Sequence, residues 1–184
     1  MSTAKESKPN GSVPEHLPKR LAMTMPAWRW LTDGQPGEPW ADLGAYFAQM
    51  VERGYNTARV DAMLNWAYHQ DGSVRGPVEV GCVVDPGFIT NSGGLVARGG
   101  AHVRALDAML DMCRIAEKHD VYLSLTSWEY HPGHTTTFVA DKDRDEVNGI
   151  PPADKLMAHA RKYDLLLARL KQEGLDKRIA FVEI

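Results

Sequence analysis

An alternation of hydrophobic period constrains this chain more than any other feature of its sequence. Short apolar runs suited to buried strands are separated by longer segments whose apolar residues recur at helical spacing. Leu21–Met25 (LAMTM), ending at Pro26, reads as a first strand. Trp40–Arg53 places Leu43, Tyr46, Phe47, Met50 and Val51 on one helical face, with Asp42, Gln49 and Glu52 opposite. Gly54 then stands where a helix C-terminus favours glycine. Thr57–Asp61 (TARVD) is a second strand, followed by an irregular stretch from about Met63 to Gly100. A helix is expected over Ala101–His119, with Leu106, Met109, Leu110, Cys113 and Ala116 as its buried stripe. Val121–Thr126 (VYLSLT) is a third strand. Pro151 and Pro152 open a third helix whose stripe reads Leu156, Ala160, Tyr163, Leu167 and Leu170; Gly174 closes it, and Arg178–Ile184 (RIAFVEI) is a fourth strand.

Strands alternating with helices predict an α/β chain with a parallel sheet and right-handed crossovers. The connections leaving the strands are long, whereas the returns from helix to strand (RGYN, KHD, EGLDK) are tight. A (β/α)8 barrel of the TIM type builds its site on those outgoing loops, but typically takes ~250 residues and eight strand–helix units. This chain of 184 residues supplies four strands and three helices. The expectation is therefore a half-barrel over residues 20–184. Residues 1–19, polar and interrupted by prolines, are expected to form a disordered arm with too little apolar mass to offset ordering.

Charge and motif content narrow the function classes. With 21 basic against 24 acidic residues and a net charge of −3, the chain offers no field for a phosphate backbone, so no nucleic-acid partner is expected. No apolar stretch approaches the ~20 residues that span a bilayer, and no short apolar core near the start marks a secretory signal. A cytoplasmic location without a membrane partner is the default expectation. Cys82 and Cys113 are too few for a disulfide framework, and Cys113 reads as a small core residue. The glycine-rich run Gly93–Gly100 matches neither phosphate-loop nor dinucleotide patterns, and no cofactor is expected.

The candidate site residues cluster after the strands. Arg59 and Asp61 are two apart and share a strand face, as a functional pair at the strand's C-terminal end or as a structural ion pair. Trp28 and Trp30 follow the first strand, Trp66 and Tyr68 the second, and Trp128, Glu129 and His131 the third. Flat aromatic faces beside polar groups suit the CH surface and hydroxyls of sugar rings, which makes carbohydrate the expected partner. Asp61, His69, His131 and His134 assemble into a metal-dependent hydrolase on paper. The HPGH loop lacks the rigid spacing metal ligands need, however, and no metal is expected. Glu183 shares a face with Phe181; it either faces a barrel interior, where burial would raise its pKa, or caps an edge strand.

LAMTMPAWRWL, VERGYNTARVDAM, VYLSLTSWEY and RIAFVEI together resemble the first four strands of cellulase-like clan A glycoside hydrolases. The chain is most similar there to the bacterial sugar-binding cellulase-like family related to family-5 glycoside hydrolases. The resemblance implies retaining hydrolysis of O-glycosidic bonds by a full-length parent acting on an oligo- or polysaccharide. It places Arg59 where the clan's arginine supports the catalytic nucleophile, and makes Ser127 and Trp128 a wall of the cleft. The clan's general acid/base is a glutamate of an Asn-Glu pair just past the fourth strand, and its nucleophile a glutamate on the seventh. Neither can be assigned here, so no catalytic residue is named and the chain itself is expected to be inactive. The substrate-binding set is Trp28, Arg59, Asp61, Trp66, Trp128, Glu129 and His131. A second expectation is a non-enzymatic sugar-binding half-barrel completed by dimerisation through its exposed strand edges.

Overall fold

Strand β1 (Met23–Ala27) opens the fold. It runs two residues past the expected end and takes Pro26 into the strand. An edge strand tolerates proline because one side of it has no ladder to feed, and β1 is at the edge of its sheet. The register with its neighbour shifts between Thr24 and Ala27, where the proline falls. The computed structural model describes residues 14–27, 29–32, 34, 36–37, 40–80, 101–126 and 153–183.

After β1 come a single helical turn, α1 (Arg29–Thr32), and the helix α2 (Leu43–Glu52). Asp42 caps α2 by accepting from the Ala45 amide at 2.8 Å, so the helix starts three residues later than Trp40. Strand β2 (Thr57–Asp61) is as expected. The stretch expected to be irregular is partly ordered. It holds a helical turn, α3 (Leu64–Ala67), and a strand, β3 (Val78–Val80), which pairs antiparallel with β4 (Ala101–Val103) just beyond the stretch. Ala101–Val103 is therefore strand rather than helix, and α4 covers Ala105–Lys118. Strand β5 (Tyr122–Thr126), helix α5 (Ala153–Gln172), a 3-10 turn at Asp176–Arg178 and strand β6 (Ile179–Val182) complete the described order. The glycine-rich run before Gly100 lies outside the described residues.

The main sheet is four-stranded and parallel in the order β1-β2-β5-β6. β2 and β5 pair residue for residue from Thr57↔Tyr122 to Asp61↔Thr126. Alternation along the strands separates two faces. Ala58, Val60, Leu123 and Leu125 are fully buried toward the helices, with Phe47, Met50, Met109, Met112, Cys113, Leu166 and Leu170 in the same core. The stripe expected on the 105–118 helix is buried as read. Cys113 is sealed in, and burial pushes its thiol pKa up to about 12, which leaves it inert.

Two other stripes differ from expectation. On α2, Val51 is 44% exposed; the core contact is made by Phe47 and Met50. On α5 the buried face is His159, Lys162, Tyr163, Leu166 and Leu170, rotated from the expected one, with Ala160 and Leu167 only half-buried. Neither the histidine nor the lysine belongs to the apolar stripe expected from the sequence. In the fold Lys162 Nζ donates to Asn65 Oδ1 on α3, and His159 lies edge-on to Tyr163, with centroids 5.6 Å apart.

One turn geometry makes all three tight returns. After α2 the Gly54 amide donates to Val51 O (2.9 Å) and the Tyr55 amide to Met50 O (3.0 Å). After α4, Asp120 donates to Glu117 O (3.2 Å) and Val121 to Ala116 O (2.9 Å). After α5, Gly174 donates to Lys171 O (3.1 Å) and Leu175 to Leu170 O (2.8 Å). These are Schellman closures, each needing a residue in left-handed backbone at its centre. Gly54 (φ 84°), Asp120 (φ 53°) and Gly174 (φ 73°) supply it. A Cβ at Gly174 would meet nothing within 4 Å, so only backbone conformation opposes a side chain there. Gly174→Ala is expected to lower stability by about 1 kcal/mol with no change in fold, as a thermal melt will show.

Candidate functional site

The face of the main sheet turned away from the helices carries the polar residues. Arg59 on β2, Ser124 on β5 and Glu183, just past β6, meet there across three strands. Arg59 Nε donates to Glu183 Oε1 at 2.9 Å and Oε2 at 3.1 Å, and its Nη2 to Oε2 at 2.5 Å. Ser124 Oγ donates to Glu183 Oε1 at 3.0 Å. The glutamate's backbone is pinned as well: its amide donates to Leu125 O at 2.8 Å and its carbonyl accepts from the Tyr163 hydroxyl at 3.3 Å. The forked pairing is the strong form of a guanidinium–carboxylate contact. The side chains are 24% and 35% exposed, so water still reaches the pair. On the other side of the guanidinium, Arg59 Nη1 lies 3.1 Å from the sulfur of Met25.

Asp61, two residues along β2, is buried and has a local task. Its Oδ1 accepts from the Met63 amide at 2.9 Å, holding Met63 in left-handed backbone (φ 51°) where the chain turns from β2 into α3. Its carbonyl accepts from the indole N–H of Trp30 at 3.1 Å. Trp30 is 3% exposed and Trp66, on α3, 8%, so both lie largely covered beside the strand ends. The structure thus brings Arg59, Asp61 and Trp66 to the C-terminal end of β2. Trp28, Trp128, Glu129, His131 and His134 lie outside the described residues. Among the described residues no group of three or more histidines, cysteines or carboxylates is arranged to hold a metal ion.

Sequence reading missed the partner of Arg59. Spacing offers Asp61, two residues away, as the ion-pair partner, whereas the forked partner is Glu183, 124 residues further on. The nearby charge of Asp61 further favours the protonated form of Arg59. For Glu183 the expected effect of burial is outweighed. Donation from Arg59 holds its carboxyl below the usual value of 4.5, with burial opposing and Ser124 assisting. The sign follows from that direction. A carboxylate whose pKa is lower in the fold contributes stability that is fully present above its unfolded value and is lost as pH falls through the folded one. The stability difference between the wild type and Glu183→Gln is accordingly expected to shrink on going from roughly pH 6 to pH 3, measured by denaturant unfolding at each pH.

At the opposite, N-terminal end of the sheet, residues 14–20 are tied down. The Tyr122 hydroxyl donates to the His16 carbonyl at 2.8 Å, and Asn56 Nδ2 to the Arg20 carbonyl at 2.9 Å. Arg178 stacks over the Tyr122 ring at 5.1 Å and pairs with Asp120 at 2.9 Å.

A cavity of about 220 Å³ lies elsewhere, among Trp30, Trp40, Leu43, Val103, Met112 and Ile115. It is on the helical side, away from Arg59 and Glu183. No described helix is long and apolar enough to cross a membrane.

No known protein family and no curated protein matches the chain. Solved structures do. A candidate glycoside hydrolase from Parabacteroides distasonis ATCC 8503 superimposes with a TM-score of 0.57 at 20% identity, over 88% of this chain and 37% of that one. GH5_18 from Bifidobacterium longum subsp. longum ATCC 55813 gives a TM-score of 0.44 at 14% identity, over 88% of this chain and 32% of its own, too loose an overlay to carry weight. The chain spans little more than a third of the length of the first structure. The first overlay shows the fold: an α/β arrangement of parallel strands and helices like that in a glycoside hydrolase-like structure.

Proposed function

We propose that residues 20–184 form part of a glycosidase-like (β/α)8 barrel and bind carbohydrate over the C-terminal ends of β1, β2 and β5. The observation that carries this reading is the Arg59–Ser124–Glu183 cluster. It sits at the end of a parallel sheet where barrel folds place their sites, in a chain whose fold overlays a candidate glycoside hydrolase. Arg59 and Asp61 contribute from β2, and Trp28, Trp66, Trp128, Glu129 and His131 complete the proposed lining. The parent activity on this reading is retaining hydrolysis of an O-glycosidic bond.

The 184-residue chain on its own binds without cleaving. Retaining hydrolysis needs one carboxyl that keeps a proton near neutral pH and a second that attacks, roughly 5–5.5 Å away. Glu183 cannot be the proton donor, because Arg59 holds it ionised. Asp61 is engaged in the turn at Met63. The test is calorimetric titration of the purified chain with a panel of oligosaccharides, alongside an aryl-glycoside assay. Saturable binding without turnover is expected. Absence of binding across the panel sinks the carbohydrate reading, and turnover that disappears in Arg59→Ala sinks the inactive one.

A second reading has an observation of its own. β1 and β6 are both edge strands, and the face opposite the helices exposes Met23 (36%), Met25 (53%) and Phe181 (38%). Parallel sheets are normally covered on both faces. A second copy that closes eight strands would cover this one. Sedimentation at rising concentration tests it, and a strict monomer is incompatible with it.

A further inference from the structure

We propose that Glu183 sets the charge selectivity of this site: it cancels the charge of Arg59 while holding the guanidinium plane across the sheet, so that neutral sugars are accepted and anionic ones are not. The proposal rests on the carbohydrate reading above and assigns a specificity role within that site.

The argument starts from what an arginine does alone. A guanidinium with an open Nε–Nη2 edge is a two-pronged receptor for carboxylate, sulfate or phosphate. In this fold that edge is occupied by Glu183 through both oxygens. An incoming oxyanion would have to displace a carboxylate that has no easy way to leave. Ser124 holds one of its oxygens, and its backbone is fixed on one side by Leu125 and on the other by Tyr163. An anion arriving at the guanidinium meets the Glu183 carboxylate at short range, where solvent screens it incompletely. A neutral polyol meets hydroxyls and N–H groups without that repulsion. Taking away the Glu183 charge alone turns the same arginine into an anion receptor without moving its backbone.

The experiment compares glucose with glucose 6-sulfate, which stays ionised at any working pH, on the wild type and on Glu183→Gln. Nitrogen-edited NMR of the Arg59 Nε–H reports occupancy at the residue itself. The wild type is expected to bind the sulfated sugar no more tightly than the neutral one. Glu183→Gln is expected to gain at least about tenfold in affinity for the sulfated sugar, with no gain for glucose. A merely structural glutamate would give no such sign-specific gain. A wild-type preference for glucose 6-sulfate overturns the proposal, and so does a folded Glu183→Gln that gains nothing. If Glu183→Gln fails to fold, the wild-type comparison decides by itself. A chain that binds no neutral oligosaccharide fails the carbohydrate reading, whereas the gain or absence of gain for the sulfate still reads the role of Glu183.

Discussion

Phe47→Ala is expected to lower the stability of the chain by about 3–5 kcal/mol. Phe47 is fully buried at the middle of α2, against the outer face of the sheet and 5.7 Å from the Tyr46 ring. Truncating it loses the transfer free energy of the ring and leaves a void that a dense interior closes only partly. Domains keep only about 5–15 kcal/mol in total, so this one change removes a large fraction. At this chain length the midpoint of thermal unfolding should fall by roughly 10 °C or more. Val51→Ala, one turn further along the same helix, is the control. Its side chain is 44% exposed, and its loss should stay within about 0.5 kcal/mol. Similar losses for the two variants would mean that the helix packs through a different face from the one described.

Arg59→Ala is expected to have the largest effect on ligand binding. A hydrogen bond to a charged group contributes about 1.5–3 kcal/mol, so its removal should weaken oligosaccharide affinity by about 10- to 100-fold. The substitution also strips Glu183 of its forked partner, leaving a half-buried carboxylate that still accepts from Ser124. The stability cost should be smaller than the binding cost, about 1 kcal/mol, because both partners are partly wetted. Calorimetric titration and a denaturant melt on the same preparation separate the two. Unchanged affinity would remove Arg59 from the site.

The parts of the fold written as local pattern are legible in the sequence. The strands at Thr57 and Tyr122, the 105–118 helix stripe and the tight returns at Gly54 and Gly174 all depend on neighbours within one or two turns of chain. What was not legible depends on distant chain. The Arg59–Glu183 pair spans 124 residues, and nothing near either residue marks the other; the nearer Asp61 was the natural decoy. His159 and Lys162 look like the wet side of a helix by composition. The burial of Lys162 is met by Asn65 on α3, a tertiary contact that overrides polarity. Pro26 ends a strand by propensity but is carried inside one because β1 is an edge. Only part of the candidate site was readable: Arg59 and Asp61 by their spacing, but not Ser124, which looks like any other strand hydroxyl until Glu183 arrives beside it.

The order of strands in the main sheet has a consequence for how the chain is made. Each parallel strand lies next to the one that precedes it in the main-sheet sequence, with no strand inserted later between two earlier ones. During synthesis every new strand therefore finds its neighbour already exposed from the ribosome, and the sheet can grow outward by one edge without rearranging what is built. Strand β6 is the last of the described strands in sequence, and the Glu183 carboxylate reaches back over β5 to β2 only once all three are in place. The Arg59–Glu183 ion pair thus forms only after β2, β5 and β6 have come together, so its presence reports that these three strands are assembled in register.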